Sequence, residues 1–226
     1  MKMDIDKILE TIRYQSLGNP EIMAKYFQET GYTKRDLDED DGIYGEYLTY
    51  EYLHDAPGYS RTLCNLYIER DNGYISEIDL VFIHETGIYI MESKNYSGWI
   101  FGHEKDQFWT QVLKNGKKNK FYNPIKQNQT HIEAVMKVLY ALTDKFIFNI
   151  VVFSERCELK SITYDNLNTS VINRDLLPMF MRYEDANSPK HLNKKEIDAL
   201  YDMLKPYTLA SVKVKEKHRK QYNYSG

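Results

Sequence analysis

Three ionisable side chains at the ends of two neighbouring apolar segments are the residues in this sequence best suited to chemistry. Asp79 lies in the first segment, and Glu92 and Lys94 lie at the end of the second. Since side chains alternate faces along a strand, Glu92 and Lys94 share one face. A tight turn centred on Glu85-Thr86 would place Asp79 directly across from Glu92, with Cβ atoms about 4.5–5.5 Å apart. The alternative is a three-residue loop that ends in Gly87, which would need a bulge to keep that facing, and the sequence does not decide between the two turns.

Two carboxylates this close beside apolar strands repel each other and lose hydration. A divalent cation relieves both penalties, and such oxygen ligands suit Mg²⁺ or Mn²⁺. Lys94 would add a positive charge for an attacking water or a crowded phosphate. The alternative is a strand-end ion pair between Lys94 and Asp79 or Glu92, since structural ion pairs also bring such groups together.

The elements that would position these residues follow from the hydrophobic pattern. The predicted antiparallel meander consists of the strands Thr62 to Glu69, Ile78 to Ile83 and Ile88 to Met91. A helix from Asn123-Pro124 to about Leu142 would then cross over to a buried strand, Phe146 to Phe153.

A second helix, Gly42 to His54, carries Glu46 in an apolar stripe. An unpaired carboxylate is costly in such a stripe. One explanation is that Glu46 points at the metal site, directly or through water. The other is an ion pair with an internal Lys or Arg.

Four stretches together resemble the nuclease-related domain (NERD) family, within the PD-(D/E)XK group of restriction-endonuclease-like nucleases. They read E-I-D-L, E-S-K-N-Y-S-G-W-I-F-G, G-E-Y and F-Y-N-P-I-K-Q-N-Q, within roughly Gly42 to Val152. Ile78 stands where the name of the wider group has Pro. The resemblance implies a metal-dependent nuclease site at Asp79, Glu92 and Lys94.

The same resemblance supports a metal-directed role for Glu46 and places Gln127 in a family motif. Gln127 would hold a water or a phosphate near the metal. In the resulting hypothesis, the carbonyl of Ser93 and waters complete the coordination of Mg²⁺ (or Mn²⁺). The expected fold is α/β, a restriction-endonuclease-like core in which helices flank a mixed central sheet ordered helix, three-strand meander, helix, strand.

A basic turn at Asn115-Gly116 is the best candidate for contact with a phosphate backbone. Its lysines are Lys114, Lys117, Lys118 and Lys120, and its flanking aromatic residues are Trp99, Trp109 and Tyr122. The alternative is an ordinary soluble loop tip. Next to a nuclease-like site, the turn favours DNA as partner.

The composition, with a net charge of −3 over 226 residues, excludes a general polycation. Cys64 and Cys157 lack metal-ligand spacing and are expected to be core thiols in a reducing compartment. No apolar stretch approaches the about 20 residues of a membrane helix, and no apolar signal region opens the chain, so cytoplasmic residence is expected. The predicted units are an N-terminal helical extension (1–38), the nuclease-related domain (39–185), and a C-terminal helix with a basic tail (186–226).

Four further predictions concern residues outside the main candidate site. Asp41 is expected to cap the Glu46 helix after a solvated acidic loop, and His131 to be a surface residue. Glu77 is a reserve ligand or, more simply, a rim charge. Lys213 to Lys220 is expected to be a frayed, solvated tail, and contact with nucleic acid is the alternative.

The function predicted from these observations is metal-dependent hydrolysis of phosphodiester bonds, with DNA as the expected substrate, in defence or repair. The alternatives are a cleavage-deficient nucleic-acid-binding module and a scaffold in a larger assembly. The terminal helices would serve contacts with a protein partner or a second copy of the chain.

Overall fold

The computed structural model of the protein describes residues 19–139 and 146–223. The helices are α1 (Pro20–Thr30), α2 (Lys34–Glu39), α3 (Asp41–Leu53), α4 (Pro124–Leu139), α5 (Leu177–Asn187), α6 (Lys194–Leu204) and α7 (Val212–Asn223). The strands are β1 (Ser60–Glu69), β2 (Ile75–His84), β3 (Gly87–Lys94), β4 (Gly98–His103), β5 (Phe108–Val112), β6 (Lys118–Tyr122), β7 (Ile147–Phe153), β8 (Cys157–Thr163) and β9 (Thr169–Asn173). The helix predicted before Gly18 and the predicted end of α4 at Leu142 lie outside the described residues.

The main sheet has the strand order β1-β2-β3-β7-β9. Its first three strands form the predicted antiparallel meander, and β7 and β9 join it in parallel. The helix α4 makes the crossover between the meander and β7, as predicted. This mixed α/β arrangement is compatible with a restriction-endonuclease-like core, so the predicted fold class is confirmed.

Helices cover both faces of this sheet because each face buries an apolar cluster. One cluster joins residues of the meander to Ile132 and Val135 of α4 and Ile197 of α6. The other packs Tyr26 of α1 and Tyr47 of α3 against the opposite face. Burial on both faces holds the middle of β2, with Asp79, and the end of β3, with Glu92 and Lys94, between α3 and α4.

A second sheet, with the order β6-β5-β4-β8, stands beside the first. The turn at Asn115-Gly116 joins β5 and β6, as predicted, with Val112 paired to Lys118. The sequence analysis did not predict that β8 would pair in parallel with β4. That pairing joins segments more than 50 residues apart, and no local pattern indicates it.

Two local predictions near α3 were wrong. The acidic stretch forms the helix α2 instead of a loop, because Thr33 and Asp36 build a reciprocal cap at its start. Asp40, and not Asp41, caps α3: its Oδ1 accepts hydrogen bonds from the backbone N–H groups of Gly42 and Ile43 at 2.8 and 3.1 Å.

Cys64 and Cys157 are both free and buried, which confirms the prediction that they are core thiols. In residues 19–139 and 146–223, no helix combines the length and apolar character needed to cross a membrane.

Candidate active site

The candidate site lies where β2 and β3 separate. Of the two turns that the sequence leaves open, the hairpin has the two-residue turn, Glu85-Thr86, since His84 pairs with Gly87 across it. The ladder runs from there to Leu80 and Met91, and one further step of the same register brings Asp79 opposite Glu92. Instead of a ladder bond at this step, the Asp79 carboxylate accepts a hydrogen bond from the backbone N–H of Ser93 at 2.8 Å. The two strands therefore open into a fork that holds both acids.

Glu92 and Lys94 share a face of β3, as the alternation predicts. The Glu92 side chain is only 2% exposed, and its Oε1 lies 2.6 Å from Lys94 Nζ. Lys94 Nζ also donates a hydrogen bond to Gln127 Oε1 at 3.1 Å. The first turns of α4 thus bring Gln127 to the lysine, which explains how a residue so far along the chain reaches the fork.

Glu46 reaches this region because α3 packs tightly against the chain that follows β3. A Cβ on Gly45 would lie 2.7 Å from the Cβ of Asn95, so only glycine allows this approach. One turn further on, the hydroxyls of Thr49 and Ser93 are hydrogen-bonded at 3.1 Å. Gly45 therefore allows α3 to pack closely against the chain after β3, and this packing brings the neighbouring Glu46 to the site.

The electrostatics show that three carboxylates share one region. Burial, followed by the charges of Glu92 and Glu46, holds the pKa of Asp79 well above its usual value. Burial and then the charges of Glu77 and Glu92 raise the pKa of Glu46 to about 8.

Lys94 responds to the same charges. Burial lowers its pKa, but the charges of Glu92 and Asp79 outweigh burial and raise the pKa above the usual value. Lys94 is thus firmly protonated, yet one lysine does not compensate three acids. A cation with two charges would relieve the remaining repulsion.

One carboxylate oxygen at the site has no hydrogen-bond partner. Glu92 Oε2 is buried and unpartnered, in contrast to Oε1, which contacts Lys94. A buried charged oxygen without a partner is costly. A hard carboxylate oxygen of this kind is a suitable ligand for Mg²⁺ or Mn²⁺, so the residues at the fork fit a divalent metal.

His131 is not the surface residue that the sequence analysis expected. It is 2% exposed on α4, and its Nδ1 lies 3.9 Å from Glu92 Oε2. Burial is the main reason that its pKa falls to about 4, so the ring is neutral at pH 7. Nδ1 also has no hydrogen-bond partner. His131 therefore borders the uncompensated oxygen of Glu92 without neutralising it.

Another residue that the sequence analysis missed is Asn65 of β1. It is 3% exposed and has a φ of 57°, which is uncommon for a residue other than glycine. Leu63 and Leu66, three residues apart, both join the same core cluster, so β1 changes its facing at Asn65. The register of β1 and β2 places this change opposite Asp79. An asparagine within an apolar run was the only available signal.

Glu77 lies two residues before Asp79 and has partners of its own. Its Oε1 accepts a hydrogen bond from the hydroxyl of Tyr67, and its Oε2 lies 3.0 Å from His218 Nδ1. Burial alone would raise the pKa of Glu77, but these two hydrogen bonds, together with the charges of His218 and Lys215, outweigh burial and lower it. The interpretation of Glu77 as a rim charge therefore fits better than that of a reserve ligand.

A compact group of potential metal ligands, His84, Glu85 and Asp185, lies elsewhere in the described part of the chain. Its ligand atoms lie within 4.8 Å of one another, which is closer than the fork residues come together. However, the backbone N–H of Thr86 donates to His84 Nδ1, and His84 Nε2 lies 2.8 Å from the Pro57 carbonyl oxygen. Lys190 already provides a cation for both acids. This group is therefore an internally satisfied polar cluster.

The predicted basic turn lies on the β5–β6 hairpin, away from any packed surface. All four of its lysines are exposed: Lys114, Lys117, Lys118 and Lys120. Trp109 is fully buried, stacked on Phe153 with 6.2 Å between ring centroids. The prediction that Trp109 flanks a nucleic-acid surface was therefore wrong, because its side of β5 faces the core. Trp99 is half exposed, with Lys160 over its ring.

The mixed sheet, with two acids and a lysine where β2 and β3 separate, is compatible with a restriction-endonuclease-like domain. The sequence pattern of the nuclease-related domain matches residues 41–154, half of the chain. The chain is also 30% identical over 159 residues to a protein of Bacillus anthracis that is described as uncharacterized. This alignment covers 70% of the chain and 72% of that relative. No solved structure gives a significant match.

The protein therefore belongs to the nuclease-related domain (NERD) family. Membership indicates a nuclease-related function, a nucleic-acid substrate and the general use of a divalent metal. The matched range includes the fork, Glu46 and Gln127.

Proposed function

We propose that the protein is a metal-dependent nuclease that hydrolyses phosphodiester bonds, with DNA as its substrate. The observation that carries the proposal is the fork between β2 and β3, where buried Glu92 keeps one oxygen without a partner beside Asp79. Two acids and a lysine lie together at this fork. They suit a divalent cation and a phosphate.

Asp79 and Glu92, with the Ser93 carbonyl oxygen and Glu46, would hold Mg²⁺ or Mn²⁺. A bound metal of this kind lowers the pKa of a water ligand and neutralises charge on phosphoryl oxygens. Asp79 is oriented for this role by the backbone N–H of Ser93.

Lys94 would orient the attacking water and stabilise the negative charge that develops on the phosphorus oxygens. Gln127 accepts a hydrogen bond from Lys94 and so fixes the direction of the ammonium group. Glu46 would position the metal from the side of α3. The exposed lysines Lys114, Lys117, Lys118 and Lys120 would contact the nucleic-acid backbone.

A second candidate function is a binding or scaffold module that no longer cleaves. The 2.6 Å contact between Lys94 and Glu92 favours it, because such a pair also closes a strand end without any catalysis. The two candidates differ in one property: only the nuclease requires the metal and the ammonium group together.

The experiment that separates the two is cleavage of plasmid and of single-stranded DNA with Mg²⁺, Mn²⁺ or EDTA. We expect cutting that EDTA abolishes and that Lys94→Ala reduces by about 100-fold, the usual loss for a group that stabilises developing charge. Lys160→Ala is the matched control, since Glu158-Leu159-Lys160 has the same spacing on an exposed strand. Cutting that survives Lys94→Ala would contradict the assignment of Lys94, and salt-sensitive binding without cutting would support the second candidate.

A further inference from the structure

The C-terminal segment is a regular helix, α7, instead of the frayed tail that the sequence analysis expected. Its sequence carries a strong positive charge, with a single acidic residue, Glu216. The basic residues are Lys213, Lys215, Lys217, Arg219 and Lys220. The helix lies outside residues 41–154, so it is an addition to the family domain.

Specific contacts fix α7 on the meander. His218 Nδ1 lies 3.0 Å from Glu77 Oε2, and the backbone N–H of Ile75 donates to Gln221 Oε1 at 2.9 Å. Lys215 Nζ lies over two tyrosine rings, 5.3 Å from the centroid of Tyr32 and 5.5 Å from that of Tyr67. These contacts repeat along the helix and hold it in one orientation.

This docking places α7 at the border of the candidate site. The residue that His218 contacts, Glu77, lies two positions before Asp79 in β2. The charge of Glu77 also acts on Glu46, where it contributes to the raised pKa. Glu77 thus contacts the basic helix α7 and also acts through its charge on the acids of the fork.

A groove of about 860 Å³ runs between α7 and the turn that joins β1 to β2. On the α7 side it is lined by three exposed lysines, Lys213, Lys217 and Lys220, together with Glu216, and Glu69 lines the opposite side. Lys217 also contacts Glu69 at 3.2 Å. Across the groove, Tyr74 is half exposed, and the guanidinium of Arg70 lies over its ring, 5.8 Å from the centroid. Aromatic and guanidinium groups of this kind are the ones on which nucleic-acid bases stack.

We propose that α7 is a nucleic-acid-binding element, with the phosphate backbone of the substrate in the groove formed by Lys213, Lys217 and Lys220. The partner must be a polyanion that reaches an acidic fork, and a protein with a net charge of −3 needs local basic surface for it. This inference rests on the proposed function, since it places the same substrate. It differs in that the lysines assigned to the phosphate backbone belong to α7, which lies outside the family domain.

The test is equilibrium binding of labelled single-stranded and duplex oligonucleotides to the full chain in EDTA, over a range of salt concentrations. The variant replaces Lys213, Lys217 and Lys220 with Gln. We expect binding to weaken at least tenfold at about 0.15 M salt. The slope of log K against log salt should fall by about 2 for a single strand or nearly 3 for a duplex, because each contact contributes about 0.7 or 0.9.

The matched control replaces Lys194, Lys195 and Lys205, which are exposed lysines at the two ends of α6, with Gln and removes the same charge. Its affinity and slope should stay at the wild-type values. Wild-type affinity and slope in the α7 variant would overturn the inference, as would a wild-type protein that binds no oligonucleotide. Replacement of the three lysines by Arg should restore binding, and this excludes misfolding as the cause of a loss. Binding through α7 without any cleavage would support the inference and contradict the nuclease proposal, whereas cleavage with unaffected binding would do the reverse.

Discussion

The chain contains the same acid-x-lysine spacing twice, and the two copies have opposite surroundings. Glu92 and Lys94 end β3 with exposures of 2% and 17%, whereas Glu158 and Lys160 on β8 are 60% and 37% exposed. Both acids contact their lysines directly. An exposed pair of this kind contributes little, because water screens it.

The difference lies in what surrounds each pair. At the fork, Asp79 adds a second carboxylate, and burial prevents water from solvating the group. On β8, the side chain of Lys160 lies over the ring of Trp99 at an exposed surface. Under the proposed function, only the pair that the fold buries beside further acids is suited to bind a metal.

The most direct test of the difference between the two pairs is to neutralise the acid of each pair in turn. We expect Glu92→Gln to reduce cleavage by about 100- to 1,000-fold, because a metal ligand and its charge are lost together. Glu158→Gln should leave cleavage unchanged. Initial rates on a plasmid with Mg²⁺ measure both, and equal effects in the two variants would remove the distinction between the pairs.

The lysines of the two pairs are expected to differ in how much they contribute to the free energy of unfolding. In the metal-free protein, Lys94→Met should lower the free energy of unfolding by about 3 kcal/mol, because it leaves Glu92 buried without its counter-ion. Lys160→Met should cost less than about 1 kcal/mol, since its partners are exposed. Urea unfolding in EDTA gives both values. A Lys94→Met variant as stable as the wild type would mean that Glu92 is not an uncompensated buried charge.

The smallest effect is expected from the substitution of Asp79, a residue that has no counterpart beside the β8 pair. Asp79→Asn should weaken Mn²⁺ binding about tenfold, because one charged ligand becomes neutral. The metal-free fold should be retained, since the change also removes repulsion between carboxylates. Calorimetric titration with Mn²⁺ measures the affinity, and an unchanged value would count against Asp79 as a ligand.

Much of the site could be predicted because its geometry is local. The two-residue turn at Glu85-Thr86 and the alternation of strand side chains determine where Asp79, Glu92 and Lys94 lie relative to one another. Glu46 was also recognisable, because a carboxylate in an apolar helical stripe has to be explained. The order of helices and strands then indicated the central sheet.

Other features could not be predicted, since each depends on residues distant in the sequence. Whether His131 is buried depends on how α4 packs on β3, and whether Trp109 faces the core depends on β5 packing over Phe153. Helical periodicity alone assigns neither residue to a surface. The parallel pairing of β8 with β4 likewise joins segments that share no local pattern.

The sequence by itself thus determined the hairpin and the three ionisable groups that it carries, because periodicity acts over a few residues, whereas the choice between the two possible turns, and with it the register, came from the structure. Only the tertiary structure decided that Gly45 lets α3 reach Asn95, that Glu92 keeps an unpartnered oxygen, and that α7 docks on Glu77. These facts arise from packing between distant segments, where burial and neighbouring charge are properties of the whole fold.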